Sequence, residues 1–95
     1  MTHFVCILAS RPRGAIYIGS TRDLRQRVEQ HQAGIPGSHT SKYNIITLVY
    51  FEQHQEVQEA ANREKRIKRW PRKWKDDLVN TVNPDWADLC HQIPL

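Results

Sequence analysis

His3-Phe4-Val5-Cys6-Ile7-Leu8-Ala9 is followed, after residues 10–14, by Ala15-Ile16-Tyr17-Ile18-Gly19. The first run is apolar beyond His3 and reads as a buried strand. Pro12 and Gly14 mark the intervening stretch as a loop. It is short enough for the two runs to pair as an antiparallel hairpin. Strand alternation then sets Tyr17 on the face opposite Ile16 and Ile18. Ser20, Thr21 and Asp23 are good helix caps. Leu24, Val28 and His31 recur at helical spacing, so a helix is predicted over residues 23–32, with Gly34 ending it.

Working onward, residues 33–44 hold Gly34, Pro36, Gly37, Ser38 and Thr40, a polar loop long enough to carry function. Residues 45–52 are rich in β-branched and aromatic side chains and read as a third strand. Residues 56–70 make the longest helix, with Val57, Ala60, Ala61 and Ile67 along one stripe. Pro71 ends or kinks it. A further helix covers Arg72–Val82, with Trp74, Leu78 and Val79 turned inward. Asn83-Pro84 punctuates the chain, and residues 85–91 suit one or two more helical turns. The order is β-β-α-β-α-α. Three strands are a minimal sheet that needs helices as cover, so the class is α+β (mixed α/β), a small antiparallel sheet flanked by helices.

Ninety-five residues allow one domain, residues 1–95. A composition of 39% hydrophobic and 25% charged residues is that of a globular chain, not a disordered one. No apolar run approaches the roughly 18 residues of a membrane span, so a membrane partner is not expected. The first nine residues have no basic lead before their apolar stretch and do not read as a secretory signal. Cys6 and Cys90 stand alone and are expected as free thiols in a cytoplasmic protein. His3 with Cys6, and Cys90 with His91, lack zinc-ligand spacing.

The net charge of +4 is concentrated in one place. Residues 62–75 hold eight basic side chains (Arg63, Lys65, Arg66, Lys68, Arg69, Arg72, Lys73 and Lys75) and one acid, Glu64. The other 81 residues hold six basic and nine acidic ones. Trp70 and Trp74 interleave with the basic run. Flat aromatics among cations suit a surface that tracks a phosphate backbone and stacks bases. The same pattern is produced by a solvated helix face over two core tryptophans, and the tryptophans read more readily as core. Glu64 falls in phase with the apolar stripe of its helix. Carboxylates are rarely buried unpaired. It is either an edge residue paired with Lys68 one turn on or a carboxylate aimed into a cleft to hold a hard cation.

Tyr17-Ile18-Gly19 on a second strand, about ten residues after an apolar strand, resembles the GIY-YIG endonuclease family, in its small stand-alone branch. The following Ser20-Thr21-Arg22-Asp23-Leu24-Arg25-Gln26-Arg27-Val28-Glu29-Gln30-His31 is similar to the family's capped helix with its Arg and His. Lys42-Tyr43-Asn44, Leu48-Val49-Tyr50-Phe51-Glu52, Ala60-Ala61-Asn62-Arg63-Glu64-Lys65-Arg66-Ile67-Lys68 and Asn83-Pro84-Asp85-Trp86 extend the resemblance over nearly the whole chain. It implies a GIY-YIG nuclease-like fold and hydrolysis of nucleic-acid phosphodiesters with one Mg²⁺ or Mn²⁺. Carried over, Glu64 is the metal ligand and Arg27 stabilises the transition state. Tyr17 lies beside the attacking water, as base or as orienter, His31 and His39 lie near the cleft, and Asn83 closes the site. Arg25, His39 and Lys42 join Arg63, Lys65, Arg66, Lys68, Arg69, Arg72 and Lys73 as expected nucleic-acid contacts, with DNA the expected partner and RNA the alternative. The sequence departs from the family in one place: Cys6, in Val5-Cys6-Ile7, stands where the first triplet has Tyr. The expected function is a structure-directed, metal-dependent endodeoxyribonuclease. The competing expectations are a nucleic-acid-binding module that kept the fold without turnover and a protein-interaction domain.

Overall fold

The computed structural model describes residues 2–33 and 45–94. In chain order they form β1 (His3–Ala9), β2 (Ile16–Thr21), α1 (Leu24–Ala33), β3 (Thr47–His54), α2 (Val57–Arg69) and α3 (Arg72–Val82), then one 3₁₀ turn at Cys90–Gln92. The element order and the α+β class are those expected. The Gly34 helix stop, His39 and Lys42 lie outside the described residues.

The sheet order is β2-β1-β3, antiparallel throughout. β1 is central and buried on both faces, which is why its sequence runs apolar instead of alternating. Val5, Ile7 and Ala9 face a core closed by Ala60 and Ile67 of α2, Val79 of α3 and Trp86. Phe4, Cys6 and Leu8 face a second core closed by Leu24 and Val28 of α1, with Ile45 and Ile93. The molecule is therefore three layers, with α1 on one side and α2 and α3 on the other. Ile67 is fully buried; truncating such a residue to Ala costs about 2–5 kcal/mol.

β3 contains a bulge. Ile7 pairs with Tyr50 and Leu8 with Leu48, so Val49 is an extra residue in its strand. Val49 and Tyr50 consequently face the same core. Phe51 returns to the α1 side, and Glu52 and His54 follow Tyr50 toward α2.

Several expectations need correction. Trp74 is 55% exposed and Val57 64% exposed, not inward. Both lie in the first turn of their helices. Trp70 is half-buried, and the fully enclosed tryptophan is Trp86, whose indole N–H donates to Asn80 Oδ1 at 2.8 Å. The helical turns expected over residues 85–91 shrink to the 3₁₀ turn, because Trp86 takes a left-handed φ of 54° that breaks helical propagation.

Candidate active site at the free edge of the sheet

The connection from β2 to α1 is built by two caps. Thr21 Oγ1 accepts from the Asp23 N–H at 3.1 Å, and Asp23 Oδ1 accepts from the Gln26 N–H at 3.0 Å. The second is an N-cap bond to the third helical residue. This start sets the helix phase so that Leu24, Val28 and His31 are buried. Arg27, one turn before His31, then reaches the edge strand. Its Nη1 donates to the Tyr17 hydroxyl at 3.2 Å. The Tyr17 and His31 rings lie 4.7 Å apart, tilted by 48°. Tyr17 can lean this way because the residue two on in its strand is Gly19. A Cβ there would sit 2.8 Å from the Tyr17 ring and hydroxyl. His31 is buried, and its Nδ1 has no partner among the described residues. Burial first, and the Arg27 charge second, push its pKa below the ordinary histidine value. At neutral pH the imidazole is therefore uncharged.

Glu64 approaches from the other layer. It stands on the β2 flank of α2, half-buried. Ser20 Oγ donates to its Oε1 at 2.6 Å, and Lys68 Nζ lies 2.7 Å from its Oε2. Burial raises its pKa, but the bonds from Lys68 and Ser20 and the charges of Lys68 and Arg27 outweigh it and hold the carboxyl below the usual range. It is ionised at neutral pH. Lys68 is half exposed, so that partner can swing into solvent. β2 is an edge strand, so Tyr17 with Arg27 on one face and Ser20 with Glu64 on the other share its open side. In the sequence Ser20 reads as a helix cap. Its strand phase with Ile16 and Ile18 was the signal that it turns toward α2.

Cys6, which pairs with Gly19, is fully buried. Desolvation pushes its thiol up to about 12, against the Arg27 charge and a backbone bond from Gly19. It is protonated at neutral pH and has no access to solvent, so it is not a substitute base.

A model of the GIY-YIG catalytic domain matches residues 2–77. The chain belongs to the GIY-YIG family. UPF0213 proteins from two strains of Staphylococcus aureus are 35% identical to it over 78 residues, covering 82% of this chain and 94% of theirs. The solution NMR structure of a UPF0213 protein from Bacillus halodurans superposes with a TM-score of 0.55 at 29% identity, covering 87% of each chain. Family membership places the chain among nucleases and makes nucleic acid its substrate class.

Within this GIY-YIG domain the remaining expected residues are dispersed. Asn83 is a brace. Its Nδ2 donates to the carbonyls of Val49 and Ala87, both at 2.9 Å, and its Oδ1 accepts from the Ala87 N–H at 3.1 Å. The Val49 carbonyl belongs to the bulged residue, so Asn83 satisfies the ladder position that the bulge leaves open. With its amide used by backbone, Asn83 does not reach Tyr17 or Glu64 as expected. Arg25 lines a small hollow with Gln32, Asp88, Cys90 and Ile93, on the side of α1 away from Tyr17. Arg63 is an internal strut: its Nε donates to Glu52 at 3.0 and 3.3 Å, and its guanidinium lies 5.2 Å from the Trp70 ring centre. Arg72 bonds Asp76 at 2.7 Å and the Gly14 carbonyl at 2.6 Å, tying α3 to the hairpin tip. Lys73 lies 3.9 Å from Asp77, a loose pair. Lys65, Arg66 and Arg69 are exposed and make no ion pair among the described residues.

Sequence reasoning missed the Glu52 cluster. Tyr50 donates to Glu52 Oε1 at 2.5 Å, and His54 Nε2 lies 2.6 Å from its Oε2, beside the Arg63 bonds. Among the described residues no three His, Cys, Asp or Glu side chains gather as a metal cage, and no helix is long and apolar enough to cross a membrane. Both cysteines are unpaired.

Proposed function

We propose that this domain is a divalent-cation-dependent endonuclease that hydrolyses DNA and selects it by structure, not by sequence. The observation that carries the reading is the Tyr17–Arg27 hydrogen bond on one face of an open edge strand, with an ionised Glu64 held by Ser20 on its other face.

One carboxylate suits Mg²⁺ or Mn²⁺, since these hard cations keep most of their waters. Glu64 would hold the ion, with Lys68 displaced. Bound there, the ion would neutralise phosphoryl charge and favour a hydroxide nucleophile. Arg27 supplies N–H donors to the oxygens on which charge grows in the transition state. Tyr17, fixed by Arg27, orients the attacking water at its hydroxyl. His31, kept neutral, is a proton acceptor on the same side. Lys65, Arg66 and Arg69 offer phosphate contacts, which position a strand without reading bases. Free thiols accord with a cytoplasmic setting.

The test is nicking of supercoiled, single-stranded and branched DNA under Mg²⁺ or Mn²⁺, with Glu64→Gln in parallel. Metal-dependent cleavage that disappears in the variant supports the reading, and cleavage at the same rate in both overturns it. The buried Cys6 favours a second reading, a binding module without turnover. Its outcome is salt-sensitive binding by both proteins and cleavage by neither.

A further inference from the structure

We propose that Trp74, backed by Trp70, is a stacking seat for one unpaired nucleobase of the substrate strand. This rests on the nuclease reading and deepens it: the substrate carries unpaired bases a few nucleotides from the cut. Trp74 is a 55% exposed aromatic at the start of a helix whose Val79 is buried in the core. With Trp70, Asp77, Leu78 and Thr81 it bounds a shallow hollow of about 250 Å³, the scale of one flat heterocycle. Its floor is held in place. Trp70 meets Trp74 edge-on at 6.1 Å and 72°, and Arg63, itself pinned by Glu52, covers Trp70 at 5.2 Å. A rigid aromatic wall loses little entropy when a base stacks on it.

The charges around the hollow fit a nucleotide. Arg66, one turn before Trp70, and Arg69 are exposed cations on the α2 side. Asp77 lines the hollow from α3, mostly exposed, and among the described residues it has a loose pair with Lys73. Phosphate belongs with the cations, and an exocyclic amino group of a base belongs with the Asp77 carboxylate. A duplex hides its base faces in the stack, so the seat requires a base that is unpaired or at an end. Glu64 precedes Trp70 by six residues, about 9 Å along the axis, and sits on the opposite flank. Lys65 and Arg69 point outward between them. A single strand crossing α2 would meet Glu64, these two cations and Trp74 in turn.

The test is fluorescence anisotropy in EDTA, where no metal-dependent cleavage occurs. The probes are a labelled single-stranded oligonucleotide and a blunt duplex of the same sequence. The proteins are the wild type, Trp74→Phe and Trp74→Ala. Expected are a roughly tenfold loss of single-strand affinity in Trp74→Ala, in the range that one base–aromatic stack supplies, near-retention in Trp74→Phe, and duplex affinity within twofold for all three. Tryptophan emission should be quenched by the single strand in the wild type and much less in Trp74→Ala. Equal losses on both probes, or no loss on either, overturn the seat. The two readings fail separately. Selective binding without any cleavage under metal refutes the nuclease and keeps the seat. Cleavage with unaltered Trp74→Ala binding does the reverse.

Discussion

Glu52 and Glu64 sit on opposite flanks of α2, and both are held below the usual carboxylate range although burial pushes each upward. Their surroundings differ. Glu52 accepts from Tyr50 on Oε1 and from Arg63 on both oxygens, with His54 on Oε2, and all four side chains are at least partly buried. Glu64 has Ser20 and the half-exposed Lys68. Glu52 is held by three partly buried partners, two on its own strand and one on α2. Glu64 has one partner that can leave at little cost. A depressed pKa therefore does not distinguish a strut from a site; the mobility of the partners does. Arg63 and Glu64 are neighbours in sequence, yet about 100° of helical rotation separates them and sends one to each flank.

The contrast is open to attack from both sides. The largest effect expected is on catalysis: Glu64→Gln should lower metal-dependent nicking by at least about 100-fold, the scale of losing a transition-state electrostatic element, with the thermal midpoint nearly unchanged. A large drop in midpoint would make Glu64 a second strut. Glu52→Gln should do the opposite. Losing a charge-assisted hydrogen bond costs about 2 kcal/mol, or roughly 10 °C in a domain of this size. Nicking at 25 °C should stay within a few-fold. Circular dichroism melts and the nicking assay together read both.

The pH profile separates two groups. His31 has a folded pKa below its ordinary 6.5, so its contribution is full above about 6.5 and is lost as pH falls through the folded value. Glu52 has a folded pKa below 4.5, so its contribution is full above that value and is lost as pH falls through the folded one. Denaturant midpoints measured from pH 7 to pH 3 should show two declines. His31→Gln should flatten only the first, and Glu52→Gln should reduce only the second, which Glu64 shares. Unchanged declines would refute the assignments.

Smaller still, Ser20→Ala removes one donor from Glu64. A net hydrogen bond of about 1 kcal/mol predicts a few-fold change in the Mn²⁺ concentration for half-maximal nicking. Last, Cys6→Ala should leave the nicking rate within twofold, because a thiol at about 12 has no proton-accepting role at neutral pH. A tenfold loss would show otherwise.

Much of this architecture was legible in the sequence. β1 and α3 fall at the expected bounds, because an unbroken apolar run and a Pro71-to-Asn83 bracket are local signals. Tyr17, Arg27 and Glu64 were singled out, and the fold brings them to one edge. The illegible parts depend on packing. Ser20 was read as a cap because its strand continues two residues beyond Gly19. Arg63 reads as a phosphate contact because no pattern marks which cation of a basic run faces inward. Trp74 reads as core in the sequence because its helical phase is only slightly off that of Leu78, yet it is 55% exposed.

The bulge at Val49 makes the Glu52 strut possible. It acts as a parity switch: with one residue fewer, Tyr50, Glu52 and His54 would exchange sides with Phe51 and Gln53. Arg63 would then lose its carboxylate, and Trp70 the cation that holds it. An insertion or deletion of a single residue in β3 would thus rewrite an entire helix interface, while a loop of the same chain would absorb the same change as slack.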